Sequence, residues 1–317
     1  MRNFAASTPT LDAFAPGDQT GFGPMILGPF GSGVEVLAPA KLNLFLEVLG
    51  RRDDGYHELE SLMVTVDLFD RLTLIDDPSG RITLGTDDPV LTTGPDNLVV
   101  RAAERLKAAT GRTRGARIEL RKAIPMQAGL AGGSSDAAAT LAGLDRLWGL
   151  NTPSDRLDEL AAGLGSDVAF FRHGPCAVCR GRGERVEPRR LARPLHLVLV
   201  CPEVGVATAE VYRNLVPPPA PRPIEAFLQA LDSGESPALG RELFNRLQPV
   251  AETLEPSLRR LRAALADLGP SLDGHLMSGS GSAYFGLARD RDAAEDAARR
   301  LATLGLGRVR VVITCDP

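Results

Sequence analysis

The sequence predicts an α+β fold in two domains, and three observations point to it. A chain of 317 residues exceeds what a single hydrophobic core usually organises. Stretches of period two and of period 3.6 follow one another without a regular strand–helix–strand alternation, which disfavours a doubly wound sheet. A basic, proline-containing break at Pro188-Arg189-Arg190 and Arg193-Pro194 interrupts the pattern and reads as a linker. The expected parts are a mobile N-terminal extension at 1–33, rich in Gly, Pro, Ser and Thr, an N-terminal domain at 34–190 and a C-terminal domain at 191–317.

The elements follow in order. Val34 to Leu37 and Leu42 to Leu49 read as strand on both sides of Lys41, and Arg51 to Gly55 as a turn with Asp-Asp-Gly chemistry. Leu62 to Leu74 gives a second strand region and Arg81 to Gly85 a short third. Asp96-Asn97 supplies an N-cap for a helix that carries Leu98, Ala102, Ala103 and Leu106 on one face. Arg117 to Arg121 is a strand, 125–135 a Gly-rich loop, 135–148 an Ala-rich helix, and 154–163 another helix with Leu157, Leu160 and Ala161 inward. Beyond the linker come a strand at Leu195–Cys201 and a Pro-rich loop at Pro217–Pro223. The end of the chain gives a strand at Ala283–Leu287, a helix at Asp292–Leu304 and a strand at Arg308–Thr314.

Composition narrows the function. With 44% hydrophobic and 24% charged residues the chain is globular. A net charge of −4 provides no basic field for nucleic acid or an anionic membrane, so an anionic ligand must be held by local geometry. No apolar run approaches the ~18 residues a bilayer span needs. The N-terminus lacks an apolar signal core, and Asp12 and Asp18 argue against a transit peptide, so the expected location is the cytoplasm. Four cysteines make no disulfide framework. Cys176 and Cys179 form a C-x-x-C, but on a strand, where positions three apart face opposite sides; no second ligand pair accompanies them, and a structural role is expected.

The most informative segment is Pro125-Met126-Gln127-Ala128-Gly129-Leu130-Ala131-Gly132-Gly133-Ser134-Ser135-Asp136. Its small residues let the backbone approach a ligand closely, and the following helix start offers free N–H groups and a positive dipole end to an anion. The serine hydroxyls can donate to phosphate or reach a Mg²⁺ ion. It is not the common nucleotide loop G-x-x-x-x-G-K-[ST], because no Lys stands between Gly133 and Ser134. A second small-residue segment, Ser278-Gly279-Ser280-Gly281-Ser282, suggests another wall around the same ligand.

Three segments, Pro39-Ala40-Lys41-Leu42-Asn43-Leu44, Pro125 to Ala137 and Ser278 to Ser282, resemble the three motifs of the GHMP small-molecule kinases. The resemblance implies a two-domain fold, with an N-terminal ribosomal-protein-S5-domain-2-like domain, a C-terminal ferredoxin-like domain and the active site in the cleft between them. It also implies Mg²⁺-ATP as phosphoryl donor. ATP would be held by Pro125, Met126, Gln127, Ala128, Gly129, Leu130, Ala131, Gly132, Gly133, Ser134 and Ser135, together with Gly279 and Ser280; no protein metal cluster is implied. Gln127 and Ala128 stand where some members have Gly, and Ser166 replaces a more usual Ala. Asp167 resembles the family's general base, and Lys41 the cation that keeps it ionised and orients the acceptor hydroxyl.

Gly55-Tyr56-His57-Glu58-Leu59, Leu164 to Phe171 and Gly181-Arg182-Gly183-Glu184 point, within the family, to members that phosphorylate the 2-hydroxyl of a cytidyl diphosphate alcohol in the non-mevalonate isoprenoid route. Tyr56 and Tyr212, two of only three tyrosines, resemble the pair that sandwiches the cytosine ring. His57 resembles the residue that reads its edge, and Asn43 and Thr208 line the same pocket. The alternatives are another GHMP substrate class (homoserine, galactose or mevalonate) and a non-catalytic metabolite-binding regulator on the same scaffold. Small molecules, not nucleic acids or membranes, are the expected partners.

Overall fold

A computed structural model describes residues 24–315. The expected extension at 1–33 lies outside the described residues for 1–23, but its last part is ordered. Ile26–Phe30 (β1) pairs antiparallel with Gly33–Arg51 (β2) across a turn at Gly31, whose φ of 56° suits glycine, and Leu27 packs on the core. The Gly/Pro composition of this stretch hid a strand of only five residues.

β2 and His57–Asp77 (β3), 19 and 21 residues long, form an antiparallel pair that is the spine of the molecule. The sequence suggested two shorter strands around Lys41; the chain runs through as one strand. Register shifts at Pro39/Ala40, Asn43/Phe45 and Val48/Gly50 bend it. Pro39 cannot donate to the ladder and sits at the first shift, so Lys41 and Asn43 lie between two irregularities, the device that commonly re-aims site residues. Ile82–Thr86 (β4), Gly115–Arg121 (β5), Cys176–Gly181 (β6) and Arg185–Pro188 (β7) complete most of this sheet. β5 pairs the far half of β3 at 71–77 and β6 its near half at 59–64.

Four helices pack on this sheet: Leu98–Thr110 (α1), Gly132–Trp148 (α2), Ser154–Leu164 (α3) and Ser166–His173 (α4). The Asn97 side chain accepts from Val99 N–H and starts α1, as its residue type predicted, and Gly111 at φ 67° ends it. α2 is buried along most of its length, and its Ala/Gly composition follows from how closely it approaches the spine. A Cβ on Gly143 would lie 2.8 Å from Leu74 and 2.9 Å from Val36.

Residues 189–195 connect β7 to a second, antiparallel sheet. Its strands are His196–Cys201 (β8), Gly274–Met277 (β10), Tyr284–Ala288 (β11) and Arg308–Ile313 (β12), in the order β10-β11-β8-β12. Its helices are Thr208–Asn214 (α5), Glu225–Ser233 (α6), Ser236–Glu242 (α7), Gln248–Leu254 (α8), Ser257–Ala266 (α9) and Arg291–Ala302 (α10). A two-residue strand, Phe244–Asn245 (β9), leaves this half to pair in parallel with β2. One apolar cluster joins the halves, with Leu42, Phe45 and Val64 from the spine against Leu197, Leu199 and Phe285. Cys176 belongs to that cluster and Cys179 to the one under α2, on opposite faces of β6 as period two requires. Among the described residues no helix is long and apolar enough to cross a membrane.

Asp290 caps α10 by accepting from Ala293 N–H at 2.8 Å, on an exposed surface. Asp290→Ala is expected to cost about 1 kcal/mol in urea denaturation, typical for a lost N-cap.

Candidate active site

The two small-residue loops meet backbone to backbone. Gly129 (φ 75°) lies so close to the Ser278 turn that a Cβ there would be 2.1 Å from the Ser278 carbonyl oxygen. Ser278 Oγ donates to the Gly129 carbonyl at 3.0 Å, Ala283 N–H to the Ala128 carbonyl at 3.1 Å and Lys41 N–H to the Leu130 carbonyl at 3.1 Å. The Asn43 N–H donates to Ser278 Oγ at 3.3 Å. The three sequence motifs are thus tied into one wall by main-chain bonds and the Ser278 hydroxyl.

A cavity of about 490 Å³ opens along that wall. It is bounded by Lys41 and Asn43 of β2, Asp167 in the first turn of α4, Thr208 and Tyr212 of α5, and Gly279 and Ser280. From the glycine loop come Pro125, Met126, Gln127, Ala128, Gly129, Ala131, Gly132, Gly133 and Ser134. α2 begins at Gly132, three residues earlier than expected, because Ala131 adopts the left-handed conformation (φ 54°) that turns the chain into the helix. Its first N–H groups therefore belong to the cavity wall.

Two predicted nucleotide-site residues do not present side chains there. Ser135 is fully buried and its hydroxyl donates to the Pro39 carbonyl at 2.7 Å, since the earlier helix start rotates it toward β2. Leu130, 1% exposed, points into the core that joins the halves. Both hold the loop in place.

Lys41 is 4% exposed, and its Nζ donates to Asn43 Oδ1. Asn43 Nδ2 donates in turn to Ser61 Oγ at 2.8 Å. Burial pushes the Lys41 pKa below the ordinary lysine value, while the nearby charge of Asp167 and the Cys179 thiol act in the opposite direction.

Beside the loop lies a buried triad the sequence did not announce, two of whose members, Lys122 and Asp136, reach the cavity wall. Lys122 Nζ donates to Asp70 Oδ2 and, at 2.8 Å, to Asp136 Oδ2; Asp70 Oδ1 accepts from the N–H groups of Ala123 (2.6 Å) and Ile124 (2.9 Å). Burial, and then the charge of Asp70, push the Asp136 carboxyl up to about 8. Asp70 gave no signal because a strand acid ordinarily faces water; here it is fully buried.

A second cavity, of about 730 Å³, shares Leu59, Ser134, Asp167, Arg182, Thr208 and Tyr212 with the first and is lined also by Tyr56 and His57. The His57 ring packs on Tyr212 at 5.2 Å, and the Arg182 guanidinium lies 5.0 Å from the Tyr56 ring centre, an arrangement that leaves Tyr56 56% exposed. Burial, then the charge of Asp167, push the Tyr212 phenol pKa up, and burial with the Arg51 charge lowers that of His57. Arg182, in the Gly181-Arg182-Gly183-Glu184 motif, stands at the junction of both cavities, a position the motif alone does not reveal.

Asp167 thus borders both the glycine-walled cavity and the aromatic one, and Lys41, which lines the first, lies near enough to feel its charge. The GHMP kinases N terminal domain matches residues 97–175 and the GHMP kinases C terminal domain residues 227–305. A 4-diphosphocytidyl-2-C-methyl-D-erythritol kinase of Pelotomaculum thermopropionicum is 44% identical, over 84% of this chain and 93% of that protein. A crystal structure of 4-(cytidine 5'-diphospho)-2C-methyl-D-erythritol kinase superposes with a TM-score of 0.75 at 43% identity, covering 89% of this chain and 100% of that one. A homoserine kinase from Cytophaga hutchinsonii, at 20% identity and TM-score 0.71 over 91% of this chain and 97% of that one, shares the fold. The chain belongs to the 4-diphosphocytidyl-2-C-methyl-D-erythritol kinase family of the GHMP kinases.

The triad carries a pH prediction. A carboxyl whose folded pKa lies above its unfolded one favours the fold while protonated, and that advantage fades as pH rises between the two values, here 3.8 and about 8. Asn at 136 does not titrate. Asp136→Asn is therefore expected to gain stability relative to the parent as pH rises through that window and to level off above it. Thermal denaturation across the window checks this; a pH-independent difference would contradict it.

Proposed function

We propose that this chain transfers the γ-phosphate of ATP to the 2-hydroxyl of 4-diphosphocytidyl-2-C-methyl-D-erythritol, giving the 2-phosphate and ADP in the non-mevalonate route to isoprenoids. The observation that carries the reading is the position of Asp167, which borders both cavities and lies near Lys41.

In this reading the triphosphate lies along the Gly129–Ser134 turn, whose inward amides and helix start complement its charge. The cytosine ring enters the aromatic cavity, stacked by Tyr56 and Tyr212, with its edge read by His57. The lowered pKa of His57 favours a neutral ring, which can both donate and accept. Asn43 and Thr208 orient the alcohol between the two. Its hydroxyl oxygen attacks the γ-phosphorus, the bond to the bridging oxygen breaks with ADP leaving, and the hydroxyl proton passes to Asp167. Lys41, held by Asn43, neutralises charge on the transferring group and orients the acceptor hydroxyl.

Among the described residues no cluster of three or more His, Cys, Asp or Glu suits a metal. Mg²⁺ would enter with the nucleotide, and the Ser134 hydroxyl that lines the cavity would offer it an oxygen donor. Bound there, it would supply charge neutralisation at the phosphates. The reading concerns soluble metabolites in the cytoplasm. A homoserine- or mevalonate-type substrate offers nothing to stack between Tyr56 and Tyr212, and a pure binder has no use for an acid at the junction.

Asp167→Asn is expected to fold normally and lose about 10²–10⁴-fold in kcat; near-parental turnover would reject its role as base. An ADP-release assay with the cytidyl alcohol, homoserine and mevalonate should respond to the first alone. Tyr212→Ala should raise KM for the cytidyl alcohol about tenfold, with a smaller effect on kcat.

A further inference from the structure

The Ser-Gly turn at 278–282 is held from below by a residue outside all three motifs. Asn245 lies in β9, and β9 is fastened to the strand that carries Lys41 and Asn43. Phe244 and Asn245 pair with Phe45 and Leu46, and Arg246 N–H donates to the Leu46 carbonyl at 2.9 Å. The Arg246 guanidinium bonds both oxygens of the fully buried Glu47, at 2.8 and 2.7 Å. Arg222 and Arg246 also flank the Phe244 ring, at 5.1 and 4.9 Å. So short a strand gains its fixed position from these side chains, not from its own ladder.

Asn245 is 5% exposed and its amide is fully committed. Nδ2 donates to the Met277 carbonyl at 2.8 Å and to the Gly279 carbonyl at 2.7 Å, while Oδ1 accepts from Leu247 N–H at 2.9 Å. Two carbonyls two residues apart, aimed at one point, repel unless a group with two donors stands between them, and an amide NH₂ is such a group. Met277 is held a second time, its N–H donating to Gln248 Oε1 at 3.1 Å. On the other side of the turn Gly279 (φ 56°) meets the catalytic face: a Cβ there would be 3.2 Å from Lys41 Nζ and 3.1 Å from the Gly129 carbonyl oxygen.

We propose that Asn245 is a positioning residue for phosphoryl transfer: by bridging the Met277 and Gly279 carbonyls it presses the Ser-Gly turn onto Lys41 Nζ and Gly129, and so fixes where the ammonium meets the donor phosphate. The inference rests on the assignment of Lys41 made above. Asn245 touches no reacting atom, and it acts through Gly279.

Loosening the turn admits water to Lys41. The groups facing its ammonium are Asn43 on its own strand, Asp167 of α4, Cys179 of β6 and the Gly279 turn. Burial is the dominant influence and holds the pKa down, so relief of burial moves it up. The alkaline limb of the kcat profile, where the ammonium loses its proton, then moves to higher pH.

The test is steady-state kinetics across pH on Asn245→Ala and Asn245→Ser, with Lys41→Met as control. Asn245→Ala is expected to lose about 10–100-fold in kcat, the scale of a misplaced catalytic group, with KM for the cytidyl alcohol within about twofold. Its alkaline limb should move up by about half a pH unit or more. Asn245→Ser, with one donor, should fall between Ala and the parent on both measures, and it carries the same readings if the Ala variant does not fold. A parental kcat and limb, or a loss of activity that tracks folded protein while the limb stays in place, would overturn the proposal. Retained turnover in Lys41→Met would remove the assignment of Lys41 itself. An inactive Lys41→Met beside a parental Asn245→Ala would remove only the role of Asn245.

Discussion

The cleft depends on one close approach, that of the Gly129 backbone to the Ser278 turn. No side chain fits between them, and this approach, with the Ser278–Gly129 and Ala283–Ala128 hydrogen bonds, joins the loop before α2 to the turn before β11. It explains why both segments are built from Gly, Ser and Ala: a β-carbon at Gly129 would push the two halves of the site apart. It also places the first amides of α2, the Lys41 ammonium and the Asp167 carboxyl around one space. The shared apolar cluster beneath, with Phe45 and Phe285, holds the halves at that distance.

A protein of net charge −4 that takes a polyanion must create positive potential locally. In the proposed reading it does so with the amides at the start of α2 and the buried Lys41 ammonium, groups whose field is strong because little water competes with it. Lys122 is nearby but is engaged by Asp70 and Asp136, so its role is to tie the entry of the loop at 122–124 to its exit at 136. Lys41 differs. Its ammonium meets the neutral amide oxygen of Asn43, with Asp167 near enough to be felt electrostatically, and its charge remains available to a ligand.

The elements with strong local signals were legible in the sequence: the Asn97 cap, the Ala-rich α2, the strand register that sends Cys176 and Cys179 to opposite faces, and the glycine loop. The residues implied for the site by resemblance converge on the two joined cavities, apart from Ser135 and Leu130. For Ser135, a helix that starts three residues earlier turns the side chain toward β2, while Leu130 fills the core that joins the halves. In the sequence, Lys41 split the spine strand because a buried lysine breaks the apolar pattern, and that break falls at the wall of the first cavity. Asp70, Lys122 and Asn245 were missed for another reason. Each has its meaning through partners far away in the chain, such as Asp70 with Ala123 or Asn245 with Gly279, and no local periodicity encodes those pairings.

A crystal structure with a non-hydrolysable ATP analogue and the cytidyl alcohol bound together would show where the two substrates meet. The terminal phosphate is expected against the Gly129–Ser134 amides beside Lys41, with the acceptor hydroxyl between that phosphate and Asp167. A triphosphate bound away from this turn, or an acceptor hydroxyl out of reach of Asp167, would contradict this placement.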